Sequence, residues 1–197
     1  MQNNICLYVY VCTVYMEKIL ITGTGRCGTT FLIKLFSFLD FDTGYNRNNY
    51  KLSISSNCNS GMERSYNDNH YILKNPLFMM NIENILKDKS IKIKNVIIPI
   101  RDLKQSANSR LKHGFKDGGL WNARDEQTQI NFYKNILTNY IFVATKYDIN
   151  TIFIDFNKMI NDKVYLFDKL KNILDEKHID FDTFSQVYDE VSLNSKP

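Results

Sequence analysis

The sequence has no C-x-x-C pair, and none of its four cysteines, Cys6, Cys12, Cys27 and Cys58, stands at metal-binding spacing from His70, His113 or His178. That pattern excludes zinc frameworks and thioredoxin-like redox pairs, requires no metal, and points to reduced thiols in a reducing, cytoplasmic compartment. Strong charge of either sign is also missing. The net charge of +4 is mild and dispersed, which suits an enzyme for anionic ligands and excludes a nucleic-acid-binding footprint. The apolar run at 5–15 covers 11 residues, against about 20 for a helix that crosses a bilayer. It carries no basic n-region and leaves no room for a cleavage site before Lys18. Met16 is a sensible start for a chain reading MEKILITG, so residues 1–15 are expected to be an extension outside the fold. The rival reading is a short membrane-facing anchor at 5–15. No repeat or linker divides what remains, so 16–197 is expected to be a single domain, with enough hydrophobic and aromatic residues for one core. Its oligomeric state is open.

What is present centres on KILITGTGRCGTTFLIKLFSFL, from Lys18 to Leu39. Lys18 to Ile21 suits a buried strand, and Phe31 to Leu39 suits an apolar helix. Between them lies Gly23-Thr24-Gly25-Arg26-Cys27-Gly28-Thr29-Thr30. Strand, glycine loop, helix is the layout of a phosphate-binding loop: glycines allow the tight turn, and N–H groups at the helix start face an anion. Tested against G-x-x-x-x-G-K-[ST], Gly23 and Gly28 have the right separation and Thr30 takes the Ser/Thr position, but Thr29 stands where the lysine belongs. A nucleotide triphosphatase needs that lysine on its β- and γ-phosphates, so simple nucleotide hydrolysis is disfavoured while binding of another phosphate-like anion is not. The plain alternative is a strand–turn–helix whose glycines serve only the turn.

Downstream, Tyr45 to Asn69 is polar, rich in Asn and Ser, and aperiodic, which predicts a long irregular segment over the site. Tyr71 to Pro76 predicts a short strand ending on Lys74, then a helix from about Leu77 to Lys87. A lysine at the carboxyl end of a parallel strand projects into the crevice where such sheets bind ligands. A strand at Asn95 to Ile100 ends on Arg101, and a helix over Asp102 to His113 carries Ser109, with Arg110 and Lys112 adding charge nearby. Both Arg101 and Ser109 reach one phosphate only if the loop folds back over that helix. Gly114 to Asn122, GFKDGGLWN, is expected to be a lid or substrate loop, unless Trp121 is simply core. Further elements are a helix at Glu126 to Tyr147, a strand at Thr151 to Phe156, and helices at Asp162 to Leu174 and Phe181 to Val191. The alternation predicts an α/β fold, a P-loop-type three-layer sandwich with a mostly parallel sheet and helices on both faces.

Two stretches together resemble the sulfotransferase superfamily. Arg26-Cys27-Gly28-Thr29-Thr30 is similar to that family's [KR]-[SCG]-G-T-[TS] loop for the 5′-phosphosulfate. Arg101, with Ser109 eight residues on, is similar to its 3′-phosphate motif, and Lys74-Asn75-Pro76 looks like its K-x-P. Cys27 stands where the family often has Ser or Gly, and the Gly/Trp segment lies earlier than in the family. The resemblance implies 3′-phosphoadenosine 5′-phosphosulfate as co-substrate, with no metal. It implies donor binding by Gly25, Arg26, Cys27, Gly28, Thr29, Thr30, Arg101 and Ser109, and a small-molecule or glycan acceptor reacting through a hydroxyl or amine. Lys74 or Arg26 would stabilise the leaving phosphate, and Glu63, His70 and Asp42 are the candidate bases. The alternatives are a magnesium-dependent P-loop kinase or phosphotransferase, and a catalytically inactive nucleotide-binding module that serves protein interaction.

Overall fold

Four stretches rich in β-branched and apolar residues form the strands of the computed structural model, which describes residues 15–55, 60–113 and 118–193. They are β1 (Met16–Ile21), β2 (Ile72–Lys74), β3 (Ile91–Ile100) and β4 (Thr151–Asp155), all parallel and ordered β2-β1-β3-β4. The central residues of β1, β2 and β3 are buried on both sides, so these strands read as continuous apolar runs, while at the edge strand β4 only Ile154 is buried. The period of two still sorts them. Ile19, Ile21, Ile72, Ile97 and Ile154 enter one core, while Leu20, Leu73, Val96 and Ile98 enter the other.

The first core is closed by α1 (Thr29–Phe38), α5 (Phe156–Asn161), α6 (Lys163–Leu174) and α7 (Phe181–Leu193). The second is closed by α2 (Phe78–Leu86), α3 (Leu103–Leu111) and α4 (Glu126–Lys146). The result is a three-layer α/β sandwich on an all-parallel sheet. The crossover through α1 steps from β1 to β2 over one face. The crossover through α2 steps back past β1 to β3 over the other, as right-handed connections require. Helices therefore leave β1 and β3 toward opposite faces, and a crevice opens between the carboxyl ends of those strands.

Two elements differ from the sequence expectation. β3 starts at Ile91, four residues before Asn95, because a register shift between Lys18 and Ile19 lets IKIK pair with Met16 to Lys18. α5, which the alternation did not give, follows β4 directly: the Asp155 carboxylate accepts from the Lys158 N–H at 2.8 Å and caps it. Six residues are too few to show helical periodicity.

The segment between α1 and β2 is irregular, as expected, with a 3₁₀ turn at Tyr50–Ser53 and an isolated antiparallel bridge between Ile54 and Gly61. A buried cation and a half-buried one hold it. The Lys18 ammonium, 1% exposed, donates to the carbonyls of Asp68 and His70 at 2.7 and 2.6 Å. The Arg64 guanidinium donates to the carbonyls of Thr43 and Gly44. These contacts tie the segment to the amino end of the sheet, and Lys74 ties Gly61 and Glu63 to the carboxyl end.

Candidate functional site

The glycine loop sets the geometry of the crevice floor. Gly28 is the N-cap of α1, with φ +92°, and no side chain caps that helix start. The first N–H groups of α1 thus face the crevice with no capping side chain on them. A Cβ on Gly28 would meet the Met159 methyl and crowd the Phe156 ring of α5, which packs on the loop at this glycine. Gly25 has φ +77°, and a Cβ there would run into the Arg110 guanidinium. Cys27 is fully buried, burial pushes its thiol up from the ordinary value, and it does not line the crevice. Thr29 and Thr30 both line the crevice, Thr29 with only 5% of its surface exposed.

The strand ends deliver cations to that floor. Lys74 closes β2 with 1% exposure. Its Nζ donates to Glu63 Oε1 at 2.5 Å, to the Gly61 carbonyl at 2.8 Å and to Thr30 Oγ1 at 3.4 Å. Arg101, just past β3, donates through Nη1 to the Arg26 carbonyl at 3.1 Å and lies over the Phe156 ring at 4.5 Å. Its Nε is buried without a hydrogen-bond partner among the described residues. Arg26 donates through Nε to Ser109 Oγ at 3.0 Å and through Nη2 to His113 Nε2 at 3.3 Å. Arg26, Arg101 and Ser109 therefore meet, because the second turn of α3 faces the glycine loop and Arg101 bonds that loop's backbone. Asp102 accepts from the Gln105 N–H at 2.8 Å, which caps α3 and fixes its direction.

Around these groups is a cleft of about 1340 Å³. Gly25, Arg26, Gly28, Thr29, Thr30, Glu63, Lys74, Arg101 and Ser109 all line it. His70 does not. It lies at the amino end of β2, opposite the cleft, with Nδ1 2.6 Å from Asp42 Oδ1 and Nε2 3.6 Å from Asp68 Oδ1. Asp42 is committed to the same cluster. Gly118 to Trp121 line the cleft, and the remainder of the expected lid, 114–117, lies outside the described residues. Trp121 is both wall and core: its ring packs edge-on to Phe132 at 5.1 Å. Cys6, Cys12, Cys58 and the N-terminal run 5–14 also lie outside the described residues. Among the described residues no helix is long and apolar enough to cross a membrane.

The sequence reading passed over the role of Arg110 and of His113. Arg110 is 9% exposed, donates through Nε to Tyr133 Oη at 2.7 Å and through Nη1 to the Gly119 carbonyl at 2.5 Å, and faces the Trp121 ring. It joins α3, α4 and the 118–121 segment at the glycine loop. The one sequence signal was its place directly after Ser109, because its partners are scattered along the chain. No family model, curated protein or solved structure matches this chain.

Proposed function

We propose that this protein transfers a sulfuryl group from 3′-phosphoadenosine 5′-phosphosulfate to an acceptor hydroxyl or amine, the chemistry that the resemblance to sulfotransferases implies. What supports the reading is the convergence of three groups on one cleft. They are the α1 start with no capping side chain, the Lys74 ammonium, and the Arg101 guanidinium with its unpartnered buried Nε. A helix start facing open space suits a phosphosulfate, and Arg101 with Ser109 suits a 3′-phosphate. Arg26 lies between the two.

The donor supplies a sulfur centre already bonded to a phosphate leaving group. Transfer forms an acceptor–sulfur bond and breaks the sulfur–oxygen bond to that phosphate, so the acceptor must lose a proton and the leaving oxygen gains charge. Glu63 is the residue placed to take the proton, and Lys74 is placed to hold the charge; their 2.5 Å contact sets both on one wall of the cleft. His70 has no part in this reading because it faces the other end of the sheet. A magnesium-bound nucleotide would instead need a strand-end acid for the metal. Asp102 occupies that place, and its carboxylate caps α3.

Calorimetric titration with adenosine 3′,5′-bisphosphate without metal, and with ATP plus Mg²⁺ in parallel, tests the assignment. Binding of the bisphosphate alone is expected. Magnesium-dependent ATP binding with no response to the bisphosphate overturns it, and bisphosphate binding with no turnover on any acceptor identifies an inactive module.

A further inference from the structure

Two elements besides its own loop hold Arg26 in place. Its backbone lies in the left-handed region at φ +56°, and its carbonyl accepts from Arg101 Nη1, just past β3, at 3.1 Å. Its side chain crosses to α3, where Nε donates to Ser109 Oγ at 3.0 Å and Nη2 meets His113 Nε2 at 3.3 Å. Nε and Nη2 share one edge of the planar fork. Ser109 and His113 are four residues apart, so one side of α3 and the turn after it grip that edge together. The His113 N–H donates to the Arg110 carbonyl at 2.9 Å, which fixes the turn that carries the ring. Nη1 has no hydrogen-bond partner among the described residues, and Arg26 lines the cleft whereas His113 does not. His113 therefore acts on the cleft through Arg26.

The chemistry of that contact fixes the state of the ring. A guanidinium has donors and no acceptor, so His113 Nε2 takes the bond with its lone pair and the ring proton sits on Nδ1. The imidazole is thus neutral while the contact stands. A proton on Nε2 abolishes the bond and sets two cations against each other. The charged groups around the ring supply no counter-charge: Arg26 faces it from the glycine loop, Arg110 and Lys112 precede it on its own element, and among the described residues no carboxylate pairs with it. We propose that His113 is a positioning residue for Arg26. As the neutral ring it shares one guanidinium edge with Ser109 and thereby aims the remaining N–H groups at the anionic donor. This rests on the sulfuryl-transfer reading of the same cleft. Ser109 serves twice, because its oxygen accepts from Arg26 while its hydroxyl hydrogen stays available for the 3′-phosphate. Acid releases Arg26, returns rotamer freedom to its long side chain and weakens donor binding.

The test is calorimetric titration with adenosine 5′-phosphosulfate, whose acidic groups are strong, so its charge stays constant where histidine titrates. Wild-type affinity is expected to fall about tenfold between about pH 8 and about pH 5.5, the scale of one hydrogen bond to a charged group. His113→Gln sets a non-titrating acceptor oxygen near the place of Nε2. It is expected to bind like wild type at the higher pH and to stay within about twofold of that at the lower. His113→Ala is expected to bind about tenfold more weakly at both. A wild-type affinity that does not fall with acid, or a fall that His113→Gln keeps, overturns the proposal. The ¹⁵N shifts of the His113 ring, read without nucleotide, answer independently. A ring protonated on Nδ1 alone is expected near neutral pH, and one protonated on Nε2 overturns the proposal. Failure of both the phosphosulfate and adenosine 3′,5′-bisphosphate to bind strikes the sulfuryl-transfer reading instead, and the ring shifts still answer for the contact with Arg26.

Discussion

In the proposed sulfuryl transfer, Lys74 would join binding and chemistry in one side chain. Its ammonium is almost wholly buried, and burying a charge is costly unless the charge is paired and hydrogen-bonded. Glu63 and the Gly61 carbonyl meet that requirement, and Thr30 ties the group to the glycine loop. Charge grows on the bridging oxygen as the sulfuryl group departs, so a cation fixed there acts mainly in the transition state. Lys74→Ala is therefore expected to lower turnover by about 10² to 10³, with far less change in bisphosphate affinity. Lys74→Arg should rescue only part of it, because a planar fork places its charge elsewhere. Steady-state turnover and calorimetry on the same variants check this; normal turnover in the alanine variant reduces Lys74 to a structural cation.

At the scale of elements, α3 carries Ser109 and Arg110 to the glycine loop, and a single side-chain cap opens it. Asp102 accepts from the Gln105 N–H, and the helix then holds Ser109 against Arg26 and Arg110 over Gly25. Removing an acidic N-cap costs about 1 kcal/mol, whereas asparagine caps nearly as well. Asp102→Ala is thus expected to lower stability by about that amount in urea unfolding and to weaken bisphosphate binding, and Asp102→Asn is expected to restore both. If the asparagine variant instead loses magnesium-dependent nucleotide binding, the acid serves a metal and the phosphotransferase reading takes over. The glycine loop shows the converse dependence. α5 packs its Met159 methyl where a side chain on Gly28 would lie, so a short helix unreadable from periodicity rests against a glycine that was readable.

For the whole molecule, the cleft is where the two helical layers part company. α1 closes one face, α3 the other, and Tyr50, Ile54, Ser60 and Glu63 of the irregular segment line the cleft between them. A ligand that crosses this seam touches elements from both layers and therefore stabilises the entire fold by mass action. Saturation with the bisphosphate at 100 times its Kd is expected to add about 2.7 kcal/mol to unfolding, seen as a concentration-dependent rise in Tm. A Tm that ignores the bisphosphate over that range means that the ligand does not bind the native fold.

The sequence by itself determined the layers and the glycine loop, because both are written in near neighbours. Apolar β-branched runs specify buried parallel strands, and glycines 23, 25 and 28 permit backbone angles that other residues resist. It also marked Lys74, Arg101 and Ser109 as candidates from their places at strand ends and on a helix. Tertiary structure alone decided what these residues meet. Arg26 finds Ser109 across 83 positions and Lys74 finds Thr30 across 44, distances that no local pattern encodes. Glu63 and His70 looked alike in the same polar segment; the bridge between Ile54 and Gly61 and the buried Lys18 carry one to the cleft and the other to the opposite end of the sheet. Local conformation follows from the residue and its neighbours, but side-chain company is set by which apolar faces bury one another.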